Sequence, residues 1–320
     1  MRTLVAGASG VVGRPLVDAL LANGHEVIAL SRRPSACSKP RLGVTEVTAN
    51  ALIAEDLFRA LANERPDAVI SELTALKKPP AQHRHMAETN RLRTLGIANL
   101  LQVAKQLGAR RFVTQSMMFG YGYDNQGSRL RLESERFAPT RSGPFEQHLS
   151  AMRENESRVL DDHDLEGIAL RYGLFYGGAA SGMLLTGVRK RTIPVLADAS
   201  PLSSIQVDDA AAATVAALER GGAGQAFNVA DDEPVSWTTF VSYVASRAGA
   251  PPPLRVPRWL VRLIAPYAKV IFDGGVCVST GKAKELLGWT PAYRSYRDGI
   301  EDLINSRADA PDRRSRNAQG

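Results

Sequence analysis

The sequence predicts an α/β fold, a doubly wound parallel sheet followed by a smaller C-terminal lobe. Three observations predict it. Short β-rich apolar runs alternate with longer helical patterns over residues 1–175, which is the signature of βαβ units with right-handed crossovers. Three glycines fall between the first strand and the first helix. After about Tyr176 the alternation gives way to glycines, prolines and short helices, so residues 176–306 are expected to form mostly a second lobe over the sheet.

The elements follow in order. Arg2–Ala6 is a strand, and a helix runs from about Val12 to Asn23, where Asn23-Gly24 stops it. His25–Leu30 and the weaker Val44–Thr48 are strands, Asp56–Asn63 is helical, and Ala68–Ser71 is the fourth strand. A long helix is expected over His83–Leu107, ended by Gly108, then a strand over Arg111–Gln115. Helix Gln147–Asp161 and strand Gly167–Arg171 complete the series, and Ala226–Val229 is a further strand returning to the sheet. Trp237–Ala248 and Trp259–Phe272 read as helices, the first with Ser236 as N-cap. Ala250-Pro251-Pro252-Pro253 reads as a stiff linker, and the polar, aperiodic stretch 307–320 as a disordered tail.

Composition narrows the function classes. The formal net charge is +7, but lysines and arginines are scattered and no basic stripe with interleaved aromatics occurs, so no nucleic-acid partner is expected. Cys37 and Cys277 have no metal-type spacing; each reads as a buried free thiol, and no metal site is expected. There is no signal-peptide pattern and no apolar run long enough for a membrane span, so the expected location is cytoplasmic. The apolar stretch Trp259–Phe272 reads as a pocket lid or dimer contact rather than a membrane-surface helix, which points to a partly apolar small-molecule substrate.

In a doubly wound sheet, ligands bind beyond the carboxyl ends of the strands. Gly7-Ala8-Ser9-Gly10-Val11-Val12-Gly13 occupies that position after the first strand. Gly7 permits the sharp turn, Gly10 lets backbone N–H groups approach a pyrophosphate, and Gly13 lets the helix pack closely on the sheet, with the anion at the helix N-terminus. This is the Rossmann-type dinucleotide turn, with Ser9, Val11 and Val12 beside the phosphates. NAD-selecting chains place an acidic residue at the end of the second strand; here stand Ser31-Arg32-Arg33. A guanidinium fork suits a 2′-phosphate, so NADP(H) is favoured over NAD(H).

On these motifs the chain resembles the extended short-chain dehydrogenases/reductases, the NAD-dependent epimerase/dehydratase family. The resemblance runs to about Ser306 and includes Leu170-Arg171-Tyr172-Gly173-Leu174-Phe175-Tyr176-Gly177, Ser204-Ile205-Gln206-Val207-Asp208-Asp209-Ala210-Ala211, and Leu286-Leu287-Gly288-Trp289-Thr290-Pro291. It implies that Asn50, Leu73, Thr74, Tyr172 and Phe175 lie beside the cofactor, and that a homodimer can form. Family catalysis uses a Ser or Thr and a Tyr-x-x-x-Lys pair. Matching Tyr121-Gly122 to the family pattern puts the serine position on Met117, beside Ser116; matching Glu156 puts the tyrosine on His148 and the lysine on Met152. An apparent insertion from about Asp124 to Ser142 separates the two elements.

Substitute acids or bases are therefore sought among His148, Ser116, Tyr121 and Glu72, each weighed against an ordinary packing, capping or salt-bridge role. Three readings stay open. One is an NADP(H)-dependent oxidoreductase acting on a small organic substrate. Another is a redox-neutral epimerase, dehydratase, isomerase or cyclase using Glu72 and His148. The third is an NADP-binding regulator that has lost catalysis.

Overall fold

The computed structural model describes residues 1–34, 41–124, 127–140, 142–178, 181–196, 199–268 and 275–308. Its strands are β1 (Arg2–Ala6), β2 (Glu26–Ser31), β3 (Val44–Thr48), β4 (Ala68–Ser71), β5 (Arg111–Met117), β6 (Leu130–Arg131), β7 (Glu166–Tyr172), β8 (Leu174–Tyr176), β9 (Pro201–Leu202), β10 (Ser204–Gln206), β11 (Gln225–Val229), β12 (Val235–Ser236) and β13 (Cys277–Val278). Seven of these form one sheet in the order β11-β7-β5-β4-β1-β2-β3, every neighbouring pair parallel. The order reverses between β1 and β4, and that is where a ligand crevice opens.

Helices cover both faces of this sheet. They are α1 (Gly13–Ala22), α2 (Ala54–Leu61), α3 (Ala87–Arg91), α4 (Ile97–Gln106), α5 (Glu146–Leu160), α6 (Ser181–Arg189), α7 (Val207–Arg220), α8 (Trp237–Arg247), α9 (Arg258–Ile264), α10 (Gly281–Leu287) and α11 (Tyr296–Ala308). Side chains alternate across a strand, so neighbours in sequence enter opposite cores. Val5 and Ile70 pack with Leu16, Leu20, Ala217 and Leu287 on the face of α1, α7 and α10. Leu4 and Val69 pack with Leu57, Leu100, Val103 and Val159 on the face of α2, α4 and α5. All four residues of β4 are buried, as a strand covered on both faces requires. Full burial of each Leu, Ile or Val stabilises the fold by roughly 1.5–3 kcal/mol.

Beyond β8 the chain leaves the sheet, builds α6 and returns as β11; α6 packs with the later α8 and α11 around a separate apolar core that includes Tyr176, Phe240 and Tyr296, while Val261 of α9 packs in a small cluster with Leu196. Short pairs brace this part: β8 with β10, β9 with β12, β6 with β13. The last pair shows what the segment between Asp124 and Ser142 does: β6 anchors it to β13, and Phe137 then packs so closely on Gly120 that a Cβ there would lie 2.2 Å from the ring.

Most expected elements are present with shifted ends. The helix expected over His83–Leu107 is a succession of a 3-10 turn (His83–Met86), α3, a π turn (Leu92–Gly96) and α4. Ser236 caps α8, accepting from the Thr239 N–H at 3.1 Å. The helix expected over Trp259–Phe272 stops at Ile264, because Pro266 has no N–H to continue it; residues 269–272 lie outside the described residues. Cys277 is a buried free thiol, and burial pushes its pKa up to about 11. Cys37 and residues 309–320 of the expected tail lie outside the described residues, and α11 runs through Ala308 where that tail was expected to begin. No helix among the described residues is long and apolar enough to cross a membrane.

Candidate functional site

A cleft of about 730 Å³ opens at the carboxyl ends of β1, β2 and β4. Gly7, Ser9 and Gly10 form its floor, Ser31, Arg32 and Arg33 one end, Asn50 a side, and Glu72, Leu73 and Thr74 the wall beyond β4. The glycines fit the expected cradle. Gly7 has φ +91°, and a Cβ on it would meet the Glu72 carbonyl oxygen at 2.6 Å. A Cβ on Gly13 would come within 2.1 Å of the Gly7 oxygen. Helix α1 begins at Gly13 with no side-chain cap on Val12 and no acidic residue in its first turn. Its N-terminal N–H groups and positive dipole end are thus left to an anion.

Arg32 and Arg33 are exposed at the cleft edge, and neither has an acidic partner among the described residues. Ser31 Oγ donates to the Arg33 carbonyl at 2.6 Å and thereby shapes this turn. Asn50 Oδ1 accepts from the Leu52 N–H at 3.1 Å, and Thr74 Oγ1 from the Leu76 N–H at 3.2 Å. Both side chains are partly occupied in shaping their own loops. Lys77 and His85 also line the cleft; their signal in the sequence was the basic Lys77-Lys78 pair following β4.

Glu72 is the buried carboxyl of this cleft, 4% exposed, with Oε2 unpartnered among the described residues. Burial raises its pKa from 4.5 to about 8, against a lowering contribution from the Tyr172 hydroxyl. Tyr172 O–H lies 3.0 Å from Glu72 Oε1 and 2.6 Å from Thr214 Oγ1, while Thr214 donates to the Ala210 carbonyl at 2.7 Å. The Tyr172 hydroxyl donates to Glu72 Oε1, the contact that opposes the effect of burial. At neutral pH burial therefore keeps Glu72 mostly protonated, and it is not a ready base.

Tyr172, expected beside the cofactor, is fully buried behind Glu72 and reaches the cleft only through it. Phe175 lines a second cleft of about 690 Å³ rather than the first. Val12 is buried at the start of α1, and Val11 is exposed beside it.

The other candidate residues lie around α5. His148 is 0% exposed. Its Nδ1 lies 2.9 Å from the Asn90 amide nitrogen and its Nε2 2.9 Å from His83 Nδ1. With the amide donating to Nδ1, the imidazole proton sits on Nε2 and is donated to His83. Burial, then the His83 and Arg93 charges, lower its pKa to about 4. Phe145 and Tyr267 enclose the two rings edge-on. Met152, one turn along α5, is also buried. His83 and Asn90 stand 65 and 58 residues from His148, so no local pattern in the sequence joins them.

Ser116 is 1% exposed, and its Oγ has no partner among the described residues. Tyr121, sought as an acid, sits in a structural network. It donates to Asn228 Oδ1 (2.9 Å) and accepts from Arg171 Nη1 (2.8 Å). Arg171 in turn holds Glu156 through Nη2 at 2.7 Å, both side chains buried. Burial is the main cause that raises the Tyr121 pKa, so the hydroxyl stays protonated.

Fold and cleft together define an enzyme of the extended short-chain dehydrogenase/reductase type. Comparison with known proteins narrows this. The model of the NAD-dependent epimerase/dehydratase family matches residues 3–230, and the chain belongs to that family. It is 37% identical to a 3-diazoavenalumate denitrifying reductase from a Streptomyces species over 314 residues, 94% of this chain and 99% of the relative. It is 29% identical to a UDP-glucose 4-epimerase of Mycolicibacterium smegmatis, over 95% of this chain and 97% of the relative. Among solved structures, UDP-glucose 4-epimerase of Thermotoga maritima with UDP-glucose superposes with a TM-score of 0.77 at 21% identity, over 96% of this chain and 99% of that one. The UDP-glucose 4-epimerase of Thermus thermophilus with NAD gives 0.76 at 23% identity, over 97% and 100%.

Proposed function

We propose that the chain is an NADP(H)-dependent reductase whose acceptor takes a hydride without needing a proton from α5. The name of the Streptomyces relative is that of a reductase of 3-diazoavenalumate, and a diazo-bearing carboxylate, in our reading an aromatic one, is the class we favour. One observation carries the reading: His148 is neutral with both ring nitrogens engaged by Asn90 and His83, and one turn further on stands Met152. A carbonyl reductase must protonate a developing alkoxide, and with a pKa near 4 His148 carries almost no proton to give at neutral pH.

The residues of the first cleft fit the dinucleotide. The turn Gly7–Gly13 would hold the pyrophosphate, Arg32 and Arg33 the 2′-phosphate, and Asn50, Leu73 and Thr74 the adenosine and ribose side. Bound NADPH supplies a hydride from nicotinamide C4. On the acceptor, the aryl C–N bond breaks and its electron pair leaves with dinitrogen. A C–H bond forms with the pair that the hydride brings, so an aryl diazonium and a hydride give an arene and dinitrogen with no proton consumed. The chain's part is to exclude water and orient a flat acceptor. Redox-neutral chemistry with Glu72 as base is disfavoured, because that carboxyl is already protonated at pH 7.

The test is reduction of an aryl diazonium carboxylate by NADPH carrying deuterium at C4. We expect deuterium at the arene carbon, one dinitrogen released per NADPH consumed, and at most about a threefold loss of turnover in His148→Gln. A general acid contributes about 10²–10⁴-fold, so a loss of that size, or hydrogen drawn from solvent water, would overturn the proposal.

A further inference from the structure

The second cleft has a composition that identifies what it takes. Its walls are Phe175, Leu184, Ile193, Trp237 and Phe240, between β8, α6 and α8. It adjoins the first cleft along one stretch of chain: Lys77 lines the first and Lys78 the second. Two polar atoms of its wall are turned away from it, since Tyr176 O–H and Ser204 Oγ both donate to the buried carboxylate of Asp231, at 2.8 and 3.4 Å. Trp237 Nε1 donates to the Pro194 carbonyl at 3.2 Å, and Thr192 Oγ1 to the Gly187 carbonyl at 3.3 Å.

Two polar groups are left. Ser181, at the start of α6, is 0% exposed, and its Oγ has no hydrogen-bond partner among the described residues. A buried hydroxyl without a partner costs about 1–3 kcal/mol, a penalty that a ligand can relieve. Lys78 lies at the rim, is exposed, and is the sole charged residue among the described lining. One ammonium balances one negative charge. A nucleoside diphosphate brings at least two and would leave charge in an apolar cleft without a counterion.

We infer that this second cleft binds a flat, largely apolar monocarboxylate, its body against Phe175, Trp237 and Phe240, its single anionic group at Lys78, and a hydrogen-bonding group at Ser181, and that it does not accept a nucleotide sugar. The inference rests on the reductase reading in taking this cleft as the acceptor site. It names the acceptor by shape and charge and does not depend on the bond that is broken.

Calorimetric titration of the full chain tests it with three probes: trans-cinnamate, its neutral amide, and UDP-glucose. Lys78→Met should weaken cinnamate about three- to tenfold at low ionic strength, an effect that salt screens, and leave the amide unchanged. Ser181→Ala should weaken both about fivefold. UDP-glucose should produce no saturable heat. Equal cinnamate affinity in Lys78→Met and the unaltered chain would remove the anion anchor, and unchanged affinities in Ser181→Ala would remove the hydroxyl contact. UDP-glucose binding as tight as cinnamate would overturn the class. Because binding is read without turnover, cinnamate binding in a chain that oxidises no NADPH counts against the reductase and not the cleft. NADPH oxidation in a chain that prefers UDP-glucose counts the other way.

Discussion

Glu72 couples the cleft to pH through its proton. Its folded pKa of about 8 stands above the ordinary 4.5. Between those values the folded protein keeps a proton that the unfolded chain releases. The stability Glu72 contributes is thus full below about pH 4.5 and is lost as pH rises to about 8. Asp231, raised from 3.8 to about 8 mainly by burial, acts in the same direction. His148 has the opposite sign: its folded pKa of about 4 lies below 6.5, so its contribution is lost as pH falls through that window. Thermal unfolding from pH 5 to 8 should therefore show a shallower decline in Glu72→Gln than in the unaltered chain, with the variant gaining relative stability toward pH 8. Parallel curves would mean that Glu72 is ionised in the fold. Glutamine keeps a donor and an acceptor toward Tyr172, so the comparison isolates the titration.

Among the elements, α1 sets the tightest tolerance. It approaches the turn after β1 so closely that a Cβ on Gly13 would lie 2.1 Å from the Gly7 oxygen and 2.9 Å from Ala8 Cα. Both obstacles are backbone and cannot rotate away. Gly13→Ala should lower stability by roughly 2–3 kcal/mol and weaken NADPH at least tenfold, read by denaturant unfolding and by fluorescence titration. Unchanged values for both would show that α1 has room to move.

The same element explains what was legible in the sequence. A strand, a glycine turn and a helix are local signals, so β1, the turn and α1 can be read from the first 22 residues, and the two arginines that follow β2 are as local. The candidate catalytic centre is not local. His148 reads as a lone histidine until folding brings His83 and Asn90 to its two nitrogens. Tyr121 reads as a free phenol until Arg171 and Asn228 take its hydroxyl. Glu72 shows its place after β4 in the sequence, but its protonation depends on burial and on the Tyr172 hydroxyl, which only the packed sheet sets around it. The π turn at Leu92–Gly96 is invisible to a periodicity of 3.6 because it is one register step inside an otherwise regular pattern.

At the scale of the whole molecule, sheet and second lobe are joined by buried polar contacts as well as by apolar packing. Asn228 on β11 donates from Nδ2 to the carbonyls of Arg131 and Ser279 and receives the Tyr121 proton, and its N–H donates to Glu133. Arg171 on β7 ties Glu156 of α5 to the same group. A dinucleotide in the first cleft would touch the ends of β1, β2 and β4 at once, so its binding free energy should appear as global stability. At a hundredfold excess over Kd that gain is about 2.7 kcal/mol. Unfolding entropy is roughly 2.1 cal/mol/K per residue, which for 320 residues corresponds to a rise in Tm of about 4 °C. On the proposed contact between a 2′-phosphate and Arg32 and Arg33, NADPH at that excess should produce this shift, and NADH at the same concentration less than about 1 °C. Arg32→Ala should bring the NADPH shift down toward the NADH value without altering the Tm of the unliganded chain, since Arg32 is exposed and has no acidic partner among the described residues. Equal shifts from the two dinucleotides would show that the pair of arginines does not select the cofactor, while no shift from either would remove the dinucleotide from the cleft.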